Sequence, residues 1–82
     1  MDTDAKILIV DDDTVVAASV KAVLGRRAYD ITVTNDALEA VEFLHQRRFD
    51  LAILDVMMPV MNGFQIMESV TDLDLDTIFI IM

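Results

Sequence analysis

An α/β fold on a parallel sheet is what this sequence predicts, and three observations predict it. Four short apolar segments, Lys6 to Val10, Tyr29 to Thr34, Phe49 to Asp55 and Thr77 to Met82, alternate with stretches of helical periodicity. The cores of the first and third, Ile7-Leu8-Ile9-Val10 and Leu51-Ala52-Ile53-Leu54, are continuous apolar runs of the kind that fill strands buried on both faces. Both close on acid: Asp11-Asp12-Asp13 follows the first strand and Asp55 ends the third. The order βαβαβαβ implies right-handed crossovers with helices on both faces of the sheet. Carboxyl ends of neighbouring strands form the functional edge of such a sheet, so the two acidic sites should meet there.

Each element has a local reason. From Thr14 to Arg27, Val16, Val20, Val23 and Leu24 recur at helical spacing, with Gly25 near the end and Asp13 as N-cap. Tyr29 to Thr34 alternates Ile31 and Val33 with polar residues, as an edge strand does, with Tyr29 a partly buried anchor. Asp36-Ala37-Leu38-Glu39 has capping-box spacing and opens a helix to about Gln46, with Leu38, Val41 and Leu44 as its inner face. Pro59 and Asn62-Gly63 mark a loop, after which Phe64 to Val70 forms a short helix. Thr71 to Asp76 is an acidic loop before the last strand. Met57, Met58, Met61 and Met67 are expected to fill gaps in the packing around the site loop.

Composition narrows the function. With 82 residues the chain is at most one small domain. It buries about 60–65% of its unfolded surface, so its core is thin. A net charge of −9 argues against direct nucleic-acid binding, which needs clustered Lys and Arg. The basic doublets Arg26-Arg27 and Arg47-Arg48 lie near helix ends, where they complement the dipole, and His45 reads as a surface residue. No cysteine is present, excluding disulfides and thiolate metal sites. The acidic, polar start lacks the pattern of a signal peptide, and no apolar run approaches the ~18 residues of a membrane span. The expected location is the cytoplasm.

Carboxylates gathered at one sheet edge repel by roughly 4 kcal/mol per pair at 4 Å and an effective dielectric of 20. A cation among the oxygens relieves this. Mg²⁺ takes hard oxygen ligands and is usually held by one or two carboxylates plus water. Asp12 and Asp55 are placed to ligate it directly, Asp11 through water, and the Met57 backbone carbonyl to add a further oxygen. An aspartate beside Mg²⁺ can also attack phosphorus to form an acyl phosphate. Spacing alone allows either Asp55 or Asp11 that role.

The run Asp55-Val56-Met57-Met58-Pro59-Val60-Met61-Asn62-Gly63-Phe64 resembles the phosphoacceptor segment of bacterial response-regulator receiver domains. Ile7 to Asp13 is similar to that family's first strand with its acidic pair, and Asp36 to Ala40 to the opening of its second helix. The resemblance implies the flavodoxin-like doubly wound sheet, here four strands in order 2-1-3-4 with three helices. It implies that Asp55 is the phosphorylation site, that Asp11, Asp12, Asp55 and the Met57 carbonyl hold Mg²⁺, and that Pro59 and Gly63 shape the following loop. The implied phosphodonor is a sensor histidine kinase or phosphotransfer protein. The resemblance implies a signalling module rather than an enzyme.

In the family a Ser or Thr follows the fourth strand and a Lys closes the fifth, whereas this sequence stops at Met82. Residues 1–82 therefore resemble a truncated receiver without fourth helix, fifth strand or fifth helix, in which phosphorylation and switching are expected to be impaired. The fourth strand would then present an apolar edge, and the first and third strands a bare face. A homodimer through either is expected. One alternative is a pseudo-receiver acting as an interaction or dimerisation module. Another rests on Asp11-Asp12-Asp13, which also resembles the nucleophile signature of haloacid-dehalogenase-like phosphohydrolases, with Asp11 as nucleophile and Asp13 as acid/base.

Overall fold

The computed structural model describes residues 5–25, 29–58, 60–71 and 76–82. Four parallel strands, β1 (Lys6–Val10), β2 (Asp30–Thr34), β3 (Leu51–Leu54) and β4 (Ile78–Ile81), form one sheet in the order β2-β1-β3-β4. They alternate with α1 (Thr14–Leu24), α2 (Ala37–Gln46) and α3 (Gly63–Ser69). The expected element order and strand order are both observed.

Period-two alternation in the central strands feeds two cores. Leu8, Val10, Ala52 and Leu54 point to one face and are buried with Ala37, Ala40 and Leu44 of α2, Ile66 of α3, and Phe49. Ile7, Ile9 and Ile53 point to the other face, with Ala17 of α1 buried among them and Val20, Leu24 and Tyr29 packed around. This double coverage explains the uninterrupted apolar runs of β1 and β3.

Helix faces differ from the expectation. In α1, Val16 and Val23 are exposed, and the small Ala17 is the buried residue. In α2, Leu38 is 56% exposed and the inner stripe is Ala37, Ala40 and Leu44, with Val41 partly buried. Alanines at i and i+3 let the helix sit close to the sheet, which turns the larger neighbours outward. The bare face is also not where it was expected. Ile7, Ile9 and Ile53 are covered by α1, whereas Ile78 and Ile80 of β4 are 66% and 45% exposed. Among the methionines of the site loop, Met58, Met61 and Met67 pack on the core, but Met57 stands in solvent at 77% exposure.

The caps are partly rearranged. Asp13 caps α1, accepting the Val15 and Val16 amides at 2.9 and 3.2 Å. Asp36 caps α2, but Glu39 does not return the bond that a capping box requires. The Asp36 N–H goes to Thr34 Oγ1, and the Glu39 carboxylate accepts the Thr34 hydroxyl. The complete box is at α3. Asn62 Oδ1 accepts the Gln65 N–H at 2.9 Å while Gln65 Oε1 accepts the Asn62 N–H at 2.8 Å. At the end of α2, Arg47 does more than complement a dipole, since its guanidinium carbon lies 5.7 Å from the Phe43 ring centroid and 5.2 Å from that of Phe49. Arg48 pairs with Asp76 across the surface. His45 is exposed, as expected, with Nδ1 2.8 Å from the Val41 carbonyl. Arg26 and Arg27 lie outside the described residues.

Candidate functional site

Strands β1 and β3 are adjacent and parallel with Val10 opposite Leu54, so the residues after each emerge side by side. Asp11, Asp12 and Asp55 each place a carboxylate oxygen within 4.8 Å of the other two. The convergence expected from the strand ends is therefore observed. Two main-chain bonds fix the spot where Asp55 leaves the sheet. Its N–H donates to the Val10 carbonyl at 2.9 Å, and the Val56 N–H donates to the Met82 carbonyl at 3.2 Å.

The three acids have different surroundings. Asp11 is 3% exposed, and one oxygen accepts the Asp13 N–H at 2.9 Å. Burial is the main cause that pushes its carboxyl above the ordinary 3.8; the Asp13 amide opposes this, and the Asp55 carboxylate adds to it. Asp12 is exposed and Asp55 half-buried. One oxygen of Asp55, Oδ1, accepts the Met57 N–H at 3.0 Å. The Asp55 side chain also comes within hydrogen-bond reach of the Asp11 carboxyl. Beside the acids, Asp12, Val56, Met57, Met58 and Asn62 line an open groove of about 410 Å³.

A donor set of carboxylate oxygens from three acids, without nitrogen or sulfur, suits a hard divalent cation such as Mg²⁺. Gly63 is close by, and its role is steric rather than conformational. Its φ is not positive, but a Cβ there would stand 2.9 Å from the Asp55 carbonyl oxygen. Pro59 lies outside the described residues. The Asn62–Gln65 box was legible in the sequence as an Asn followed three residues later by Gln, yet the Asn-Gly pair reads more readily as a turn.

The model of the response regulator receiver domain matches residues 7–82. The chain belongs to the response regulator receiver family. It is 41% identical over 78 residues to the two-component response regulator ORR22 of Oryza sativa subsp. indica, a match that covers 92% of this chain and 11% of the relative. The chain thus spans about a tenth of that relative's length. Among solved structures, the signal receiver domain described as that of a "putative Luxo repressor protein" from Vibrio parahaemolyticus superposes with a TM-score of 0.89 at 28% identity, covering 96% of this chain and 61% of that one. A CheY-like receiver domain protein from Methanospirillum hungatei gives 0.88 at 30% identity, covering 96% and 63%. The flavodoxin-like receiver fold and the place of this chain in two-component signalling follow. No helix among the described residues is long and apolar enough to cross a membrane.

Proposed function

We propose that this chain accepts a phosphoryl group on Asp55 and does so with Mg²⁺ held by Asp11, Asp12, Asp55 and the Met57 carbonyl. The observation that carries this reading is the meeting of three carboxylates from two strand ends within 4.8 Å, with Asp55 half-buried and its chain neighbours Val56 and Met57 lining an open groove. The bond formed joins an Asp55 carboxylate oxygen to phosphorus. The bond broken joins phosphorus to the donor, a phosphohistidine of a sensor kinase or phosphotransfer protein, whose imidazole nitrogen leaves.

The chain's own groups divide the work. The Met57 N–H holds Asp55 Oδ1 and so orients the other oxygen for attack. Asp11 and Asp12 supply negative charge that holds the ion, and the Asp13 N–H keeps the Asp11 carboxylate turned inward. When bound, the ion offsets charge on the phosphoryl oxygens. Receiver domains act as signalling modules, and this one is read as a substrate of its kinase in the cytoplasm, not as an enzyme.

Burial supports Asp55 over Asp11 as nucleophile. At 3% exposure the Asp11 carboxylate leaves little room for a phosphorus centre to approach, which weighs against the phosphohydrolase alternative with Asp11 as nucleophile and Asp13 as acid/base. Incubation with a small phosphodonor and Mg²⁺, followed by intact-mass analysis, should give one phosphoryl adduct in the wild type, a reduced yield of the same adduct in Asp11→Asn, which loses an ion ligand but keeps the acceptor, and none in Asp55→Asn. Modification of Asp55→Asn to the wild-type extent would overturn the assignment.

Self-association is the second part of the reading. β4 pairs only with β3 among the described residues, so its other backbone edge is open, and Ile78 and Ile80 expose apolar side chains on the face beside that edge. An apolar strand edge of this kind is a template for pairing. The 82-residue chain is expected to sediment as a dimer at high micromolar concentration, and a well-behaved monomer would sink this part alone.

A further inference from the structure

The turn into α2 meets the acidic cluster at Thr34. This residue is buried, at 4% exposure, and both ends of it are engaged. Its carbonyl accepts the Asp11 N–H at 3.2 Å. Its hydroxyl donates to Glu39 Oε1 at 2.6 Å and accepts the Asp36 N–H at 3.1 Å. A hydroxyl–carboxylate contact of 2.6 Å falls in the range of charge-assisted bonds, which are about twice as strong as neutral ones. Asp36 in turn caps α2 through the Leu38 and Glu39 amides. One side chain thus ties the end of β2 to both the cap and the first turn of α2.

The position of β2 gives this tie its importance. β2 is an edge strand, paired on one side with β1 and on the other with no described strand. The end of an edge strand frays unless something other than a neighbouring strand holds it. Here the hydroxyl network is that holder, and the carbonyl it steadies is the one that receives the Asp11 amide. Asp11, Thr34 and Glu39 also line one groove of about 430 Å³, so the network and the buried acid open on the same space.

We propose that Thr34 is a positioning residue for Asp11: its hydroxyl anchors the end of β2 to α2, and its carbonyl thereby sets the Asp11 main chain and the carboxylate that it carries. The proposal rests on the reading of Asp11, Asp12 and Asp55 as a divalent-ion site. Thr34→Val keeps the shape and β-branching but removes the hydroxyl. Thr34→Ser keeps the hydroxyl, and Glu39→Gln keeps an acceptor without the charge.

Mg²⁺ affinity by calorimetric titration, the Asp11 amide by nuclear magnetic resonance with its hydrogen exchange, and urea stability are measured for each variant and for the wild type. Thr34→Val should weaken Mg²⁺ binding about 10-fold, the lower end of what loss of an outer-shell partner costs, and speed exchange of the Asp11 amide. Thr34→Ser should restore both. If Thr34→Val fails to fold, Glu39→Gln should still show the same direction at smaller size. Loss of stability in Thr34→Val or Glu39→Gln with Mg²⁺ affinity and the Asp11 amide unmoved would overturn the proposal. Failure of the wild type to bind Mg²⁺, or undiminished binding by Asp55→Asn, would instead overturn the ion-site reading beneath it.

Discussion

Gly63 lies so close beneath Asp55 that a Cβ on the glycine would stand 2.9 Å from the Asp55 carbonyl oxygen and 3.0 Å from Leu54 Cβ. Both contacts are to rigid parts of the molecule, the end of a central strand. α3 therefore begins against the segment that carries the central acid, and only a residue without a side chain permits that approach.

Gly63→Ala should accordingly destabilise the fold by about 1–3 kcal/mol, the usual cost of overpacking. Alanine's better helix propensity, worth about 1 kcal/mol in a helix interior, recovers only part of this at a first-turn position. Urea unfolding measures the loss. A variant as stable as the wild type would show that α3 can retreat from Asp55 without cost.

Mg²⁺ should stabilise the folded chain, because the unfolded chain lacks the three-carboxylate site. At a concentration 100-fold above its dissociation constant, the gain is about 2.7 kcal/mol. Thermal melts with Mg²⁺ and then with excess chelator should show a reversible rise in Tm for the wild type. Asp12→Asn and Asp55→Asn should lose most of that rise.

The raised pKa of Asp11 fixes the sign of one pH dependence. Between the ordinary value of 3.8 and the higher folded value, the folded chain binds more protons at this group than the unfolded chain does. Its contribution to stability is therefore greatest on the acid side and declines as pH rises through the folded pKa. With chelator present, Asp11→Asn should gain stability relative to the wild type across that window and hold the gain above it. A wild-type-minus-variant difference that stays flat with pH would refute this.

Arg47 stacks over two rings at the end of α2, one of them the buried Phe49. Arg47→Ala should cost about 1 kcal/mol in urea unfolding, the scale of an exposed cation–π contact. Arg47→Lys should recover part of it. No loss in the alanine variant would mean that the rings pack equally well alone.

The sheet was legible in the sequence because β1 and β3 are buried on both faces, and only continuous runs such as Ile7 to Val10 suit that environment. The acids were legible for the same reason, since their strand ends cannot be elsewhere. Helix faces were less so. Reading α2 by its largest residues selects Leu38, whereas close packing on a sheet favours Ala37 and Ala40. Thr34 was missed because a β-branched residue in an edge strand gives no sign that its hydroxyl will be claimed by Glu39 in the next helix, or its carbonyl by the distant Asp11. Met57 was misjudged because thioether side chains suit a core equally well when they are outside it.

The main chain at Asp55 is pinned from two sides, by the Val10 carbonyl in β1 and, one residue on, by the Met82 carbonyl after β4. Its carboxylate, by contrast, is held by a bond from outside the sheet. The first group to register a chemical change on it is the Met57 N–H, which loses or keeps its hold on Oδ1 according to what that oxygen becomes.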